Sequence, residues 1–127
     1  RPYHQAMADL IASRTAAGRE TILLSLHSFT PVLNGDVRPW DIGLLHWQGR
    51  TDFALSMLDH LRSIAGVVVG DNEPYAMDAT DYTVPLHAFA NGLRHAEIEV
   101  RQDLIADAEG QTLWAEHIAR AAEGANA

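Results

Sequence analysis
The chain has 127 residues, 47% of them hydrophobic, with seventeen acidic residues against nine arginines, no lysine and a formal charge of −8. That length and composition suit one folded domain with its own core, and the acidic balance without a basic cluster argues against nucleic acid or an anionic membrane as partner. With no cysteine there is no disulfide, thiolate metal site or thiol nucleophile, so any metal falls to His, Asp or Glu.

Pro2 suits the first turn of a helix, and Met7, Leu10, Ile11 and Arg14 follow at helical spacing up to a stop at Gly18. Residues 21–26 are next. Ile22, Leu23, Leu24 and Leu26 predict a short strand covered on both faces, which ends abruptly at His27, Ser28 and Phe29. Residues 27–47 then read as a long irregular segment carrying two prolines and two glycines, with a short strand at "DIGLLHW".

Thr51 is placed to cap a helix whose apolar face is Phe53, Leu55, Leu58 and Leu61, and Gly66 ends it. Val67 to Val69 predict a second buried strand, stopping at "GDNEPY". After a loop through Tyr82, the segment "LRHAEIEVRQDLI" alternates strictly, with Ala96, Ile98 and Val100 on one face and His95, Glu97, Glu99 and Arg101 on the other. "TLWAEHIARAAEG" closes the chain as an amphipathic helix with a short "ANA" tail. The element order predicts an α/β fold with a mixed, mostly parallel sheet flanked by helices.

In open α/β sheets ligands bind beyond the carboxyl ends of the strands, so the polar ends of three strands are expected to converge. His27 is either a metal ligand, with Ser28 beside it to orient the ring or a substrate, or a satisfied, partly buried histidine. Glu97 and Glu99 are either a carboxylate base with its tuning neighbour or the wet face of an edge strand. Asp71, Asn72 and Tyr75 suit a polar substrate or an ordinary turn. Arg38 suits a carboxylate clamp or an ion pair with Asp36 or Asp41. His4, His46, His60, His87 and His117 read as structural. The chain has no HExxH, Walker loop, GxSxG or GxGxxG.

The ordered set "LLSLHSFTP", "VGDNEPY", "YTVPLHA" and "AEIEVRQDLI" resembles the carboxy-terminal half of the N-formylglutamate amidohydrolase family, which is similar in turn to the zinc carboxypeptidases. The resemblance implies their phosphorylase/hydrolase-like fold, a zinc cofactor and hydrolysis of N-formyl-L-glutamate. It makes His27 a metal ligand, Glu99 the catalytic carboxylate, and Arg38, Asn72, Tyr75, Ser28 and Arg101 substrate-binding residues. Family members are about twice as long, and their other half carries the remaining two metal ligands, a histidine and an acidic residue. The expectation is therefore a single domain over residues 1–127 that is half of a larger one, with the other half as a candidate partner. A chain that opens at Arg1 rather than methionine fits a processed or truncated piece. No apolar run approaches the roughly 20 residues of a membrane span and no signal-peptide pattern opens the chain, so a cytoplasmic location is expected.

Overall fold
The computed structural model describes residues 2–47, 50–75, 84, 87–88 and 91–126. The loop through Tyr82 and most of "YTVPLHA" lie outside these residues, as do Arg1 and the final alanine. Among the described residues are six strands and three α-helices: α1 (Pro2–Ala16), β1 (Ile22–Phe29), β2 (Val32–Leu33), β3 (Asp36–Val37), β4 (Ile42–Leu45), α2 (Asp52–Arg62), β5 (Val69–Asp71), β6 (Arg94–Arg101) and α3 (Ala108–Ala125).

Four strands form one sheet in the order β1-β6-β4-β5. β1 runs parallel to β6 and β4 parallel to β5, while β4 and β6 are antiparallel. The sheet is thus mixed and mostly parallel, as the element order predicts. One face is covered by α2 and α3. Ile42, Leu44, Ala96, Ile98 and Val100 from the strands meet Phe53, Met57, Leu58, Leu61, Trp114 and Ala121 from the helices in a single apolar cluster. Alternation along β4 and β6 produces this, because residues two apart share a face.

Three expectations change. β6 lies between β1 and β4 rather than at an edge, so residues 95–100 are all buried, the two glutamates included. β1 is not covered on both faces: among the described strands β6 alone pairs with it, and Leu26 is 64% exposed. The strand foreseen at residues 67–69 is displaced to Val69–Asp71, because the Asp41 carboxylate accepts from the Val68 amide and the Val68 carbonyl accepts from the Asp41 amide, joining the segments just before the ladder begins.

Local signals explain the rest. Asn34 and Gly35, both with positive φ, turn the β2–β3 hairpin inside the segment read as irregular, as an Asn-Gly pair does in a tight hairpin. Thr51 stands at the N-cap of α2 without a side-chain cap bond, and the buried face there is Phe53, Ala54, Met57, Leu58 and Leu61, Leu55 being exposed. α3 starts earlier than its apolar pattern, because the Asp107 carboxylate accepts from the Gly110 amide at 2.8 Å and caps the first turn.

Gly43 and Gly70 are neighbours on the sheet face away from α2 and α3. The chain at Glu73 crosses directly over them: a Cβ at Gly43 would fall on the Glu73 carbonyl oxygen, and one at Gly70 would meet Glu73 and Trp40. Gly43→Ala is expected to destabilise the fold by about 3 kcal/mol, since backbone cannot yield as a side-chain tip does. Urea unfolding measures this, and an unchanged midpoint would contradict the crossing.

Candidate active site
The face opposite α2 and α3 carries the polar set. In the ladder Ser25 is level with Glu97, and His27 with Glu99, which in turn is opposite Gly43. The β1–β6 pairing therefore brings His27 and Glu99 side by side at the strand spacing of about 4.8 Å. Glu97 and Glu99 are each 6% exposed, whereas half of the His27 side chain is open to solvent. His27 Nε2 lies 2.8 Å from Ser25 Oγ and 3.4 Å from Glu97 Oε1. An imidazole held at one nitrogen by a hydroxyl and a carboxylate keeps its other nitrogen, Nδ1, for a further partner.

Ser25 lies within "LLSLHSFTP" with no role assigned to it there, and the signal for it in the sequence is period two: the residue two before His27 on a strand shares its face. Ser28, by the same rule, faces the other way, and it lines an apolar groove of about 410 Å³ with Leu26, Val100 and Trp114 on the side of α3. The side chains of Ser28 and His27 thus leave β1 on opposite faces, although both residues line that groove.

Phe29, one pleat beyond His27, is buried and shares its face. The Arg38 guanidinium stacks on Phe29 at 5.2 Å and on Tyr75 at 4.9 Å, and Nη1 donates to the Thr30 carbonyl and hydroxyl at 3.1 and 3.2 Å. At 7% exposure Arg38 is buried, and among the described residues it forms no ion pair with Asp36 or Asp41. This arrangement brings Arg38 and Tyr75 to the end of the sheet where His27 and Glu99 lie.

The expected convergence of three strand ends does not occur. β5 runs against β1 and β6, so its carboxyl end points toward their amino ends, and its last residue, Asp71, is level with Leu44, Ile98 and Leu26. Asn72 follows, its side-chain oxygen accepting from the His46 amide at 2.8 Å, and Asp71 pairs with the His46 ring at 2.7 Å. Only the return of the chain over Gly43 carries Tyr75 back toward Arg38. Arg101 sits at the end of β6 with its guanidinium bound by Asp103 at 2.6 Å and Asp41 at 3.3 Å. Hydrogen bonding to Arg101 also holds the Asp103 carboxyl below its ordinary range.

The donor chemistry of the face suits a divalent cation: one imidazole with Nδ1 available and two buried carboxylates. No group of three or more His, Asp and Glu able to hold a metal occurs among the described residues.

Fold and face together define a mixed α/β protein with an imidazole–carboxylate site on one side of its sheet. The chain belongs to the N-formylglutamate amidohydrolase family, whose model matches residues 1–106. Among solved structures it is similar to gene product Atu2144 from Agrobacterium tumefaciens, at 35% identity and a TM-score of 0.85 over 99% of this chain and 51% of that one. It spans about half the length of that protein. No curated protein matches.

Burial sets a pH dependence at the amino end of the same face. His95 is fully buried and its Nδ1–H donates to the Leu93 carbonyl at 3.2 Å. Desolvation lowers its pKa, with the His46 charge adding to the effect and the Leu93 bond and Asp52 opposing it. His87, buried against His4 at 2.9 Å, is also lowered, by desolvation first and then by His4. The unfolded chain takes up these protons near pH 6.5 and the folded chain only below that. Below about pH 6.5 the unfolded state therefore binds more protons, and stability falls as the pH drops from about 7 to 5. Denaturant midpoints across that range measure the slope; His95→Gln is expected to flatten it, and an unchanged slope would exclude His95 as a contributor.

Proposed function
We propose that this chain is part of a metal-dependent amidohydrolase that cleaves N-formyl-L-glutamate to formate and L-glutamate, the reaction that belongs to histidine degradation. The observation carrying this reading is a buried glutamate, Glu99, in register with a half-open histidine, His27, in a chain of this family.

In this reading His27 holds the metal through Nδ1, with Ser25 and Glu97 fixing the ring from Nε2. A bound zinc supplies Lewis-acid polarisation and a water whose pKa is brought to about 7. Glu99 takes the proton from the water that attacks the formyl carbon. It then returns that proton to the amide nitrogen as the C–N bond breaks, so formate leaves and the amine of glutamate is released. Burial favours this role because it keeps bulk water away from the carboxylate that handles the proton. Arg38 holds a carboxylate of the glutamate portion, its plane set by the Phe29 and Tyr75 rings. The remaining metal ligands belong to the other half of the family's fold.

Glu97 supports a second reading, hydrolysis of a different N-acyl amino acid or a carboxypeptidase-like substrate on the same framework. A second buried carboxylate two residues from Glu99 changes the charge that the acyl group meets, and a shared fold does not fix the substrate.

The deciding experiment is formate release from N-formyl-L-glutamate by the full-length protein, with chelator and with zinc restored. Activity that disappears and returns is the expected result; zinc bound without formate release transfers the assignment to another acyl substrate. Absence of both sinks the hydrolase reading. Glu99→Gln is expected to retain zinc and lose at least about 10²-fold in kcat, whereas His27→Ala is expected to lose zinc as well. Arg38→Leu is expected to raise KM at least about tenfold, the loss of one charge-assisted contact.

A further inference from the structure
On the other side of the sheet, a cleft of about 310 Å³ opens between α2 and α3, lined by His60, Ser63, Ile64, His117, Arg120 and Ala121. In a chain with a charge of −8, every ionisable side chain lining this cleft is an imidazole or a guanidinium. We propose that it binds a small oxyanion of the phosphate type, at a site separated from His27 and Glu99 by the sheet and its apolar layer.

Packing sets both rings. The His60 ring lies against the backbone of α3 at Gly124, where a Cβ would come within 2.5 Å of the ring. Gly124 stands one residue before the end of α3, and its missing side chain makes room for the imidazole. Trp114 holds the His117 ring edge-on, with centroids 5.1 Å apart. Arg120 has Glu116 four residues before it and Glu123 three residues after it, both within reach along a helix, yet among the described residues it is ion-paired with neither. A guanidinium and two ring-nitrogen donors on adjacent helices suit a multivalent oxyanion, and the guanidinium disfavours a metal cation. Ser63 is not one of the donors, since its hydroxyl donates to the His60 carbonyl at 2.6 Å and its amide to the carbonyls of Asp59 and His60. Those bonds occupy the Asp59 and His60 carbonyls, two of the acceptors at the end of α2.

The test is a titration of the full chain with inorganic phosphate at fixed pH and at constant ionic strength held with chloride. The C2–H resonances of His60 and His117 are expected to move together and saturate in the millimolar range. Arg120→Gln and Gly124→Ala are each expected to weaken binding at least tenfold, the first by removing the fork and the second by displacing the His60 ring. Resonances that stay still, that move equally with chloride alone, or that saturate unchanged in both variants would overturn the site, as would saturation by zinc without any by phosphate. The readout does not involve hydrolysis, so the proposal stands or falls independently of the amidohydrolase reading.

Discussion
Placing Glu97 and Glu99 on a central strand is the constraint around which the rest of this structure is arranged. Removing a carboxylate from water costs several kcal/mol unless something nearby compensates it, and here two on one face are 6% exposed each. The opposite face of β6 explains how the strand stays in place: Ala96, Ile98 and Val100 anchor it in the apolar layer beneath α2 and α3. Burial of the apolar face therefore holds the acidic face inside.

The same face is shaped by what is missing from it. Glycines at 43 and 70 leave a shallow channel through which the chain at Glu73 can pass in backbone contact with the sheet. That passage carries Tyr75 to the Arg38 guanidinium and closes one side of the site. Arg38 in turn is fixed by Phe29, which occupies the next inward position of the strand that presents His27. A steric allowance on β4 and β5 thus decides the position of a cation near β1.

Much of the site is legible in the sequence because a strand has a strict period. His27 at the end of an aliphatic run, and Glu99 on the polar side of an alternating segment, both stand out from spacing within their own segments. Ser25 is equally within reach by that rule, as is the Asn34-Gly35 hairpin by its dipeptide. What the pattern misses has one physical origin, strand direction and order. "GDNEPY" follows a strand just as "HSF" does, but β5 runs the other way, so it ends at Asp71, level with Ile98, rather than beside the ends of β1 and β6. Likewise an alternating strand reads as an edge, since alternation reports that one face is polar and not whether water reaches it.

The sequence by itself determined the fold class, the helices and most of the strands, the two faces of β6, and the family resemblance that points to His27 and Glu99. Each of these is carried by spacing within a single segment or by motifs in a fixed order. Only the tertiary structure decided that β6 is central, that His27 and Glu99 share a level, that Arg38 stacks between Phe29 and Tyr75, and that His60, His117 and Arg120 line one cleft. Those are relations between segments distant in the chain. They are set by which strands pair and in which direction, and by the apolar layer that brings α2 and α3 together, quantities that no local pattern of residues encodes.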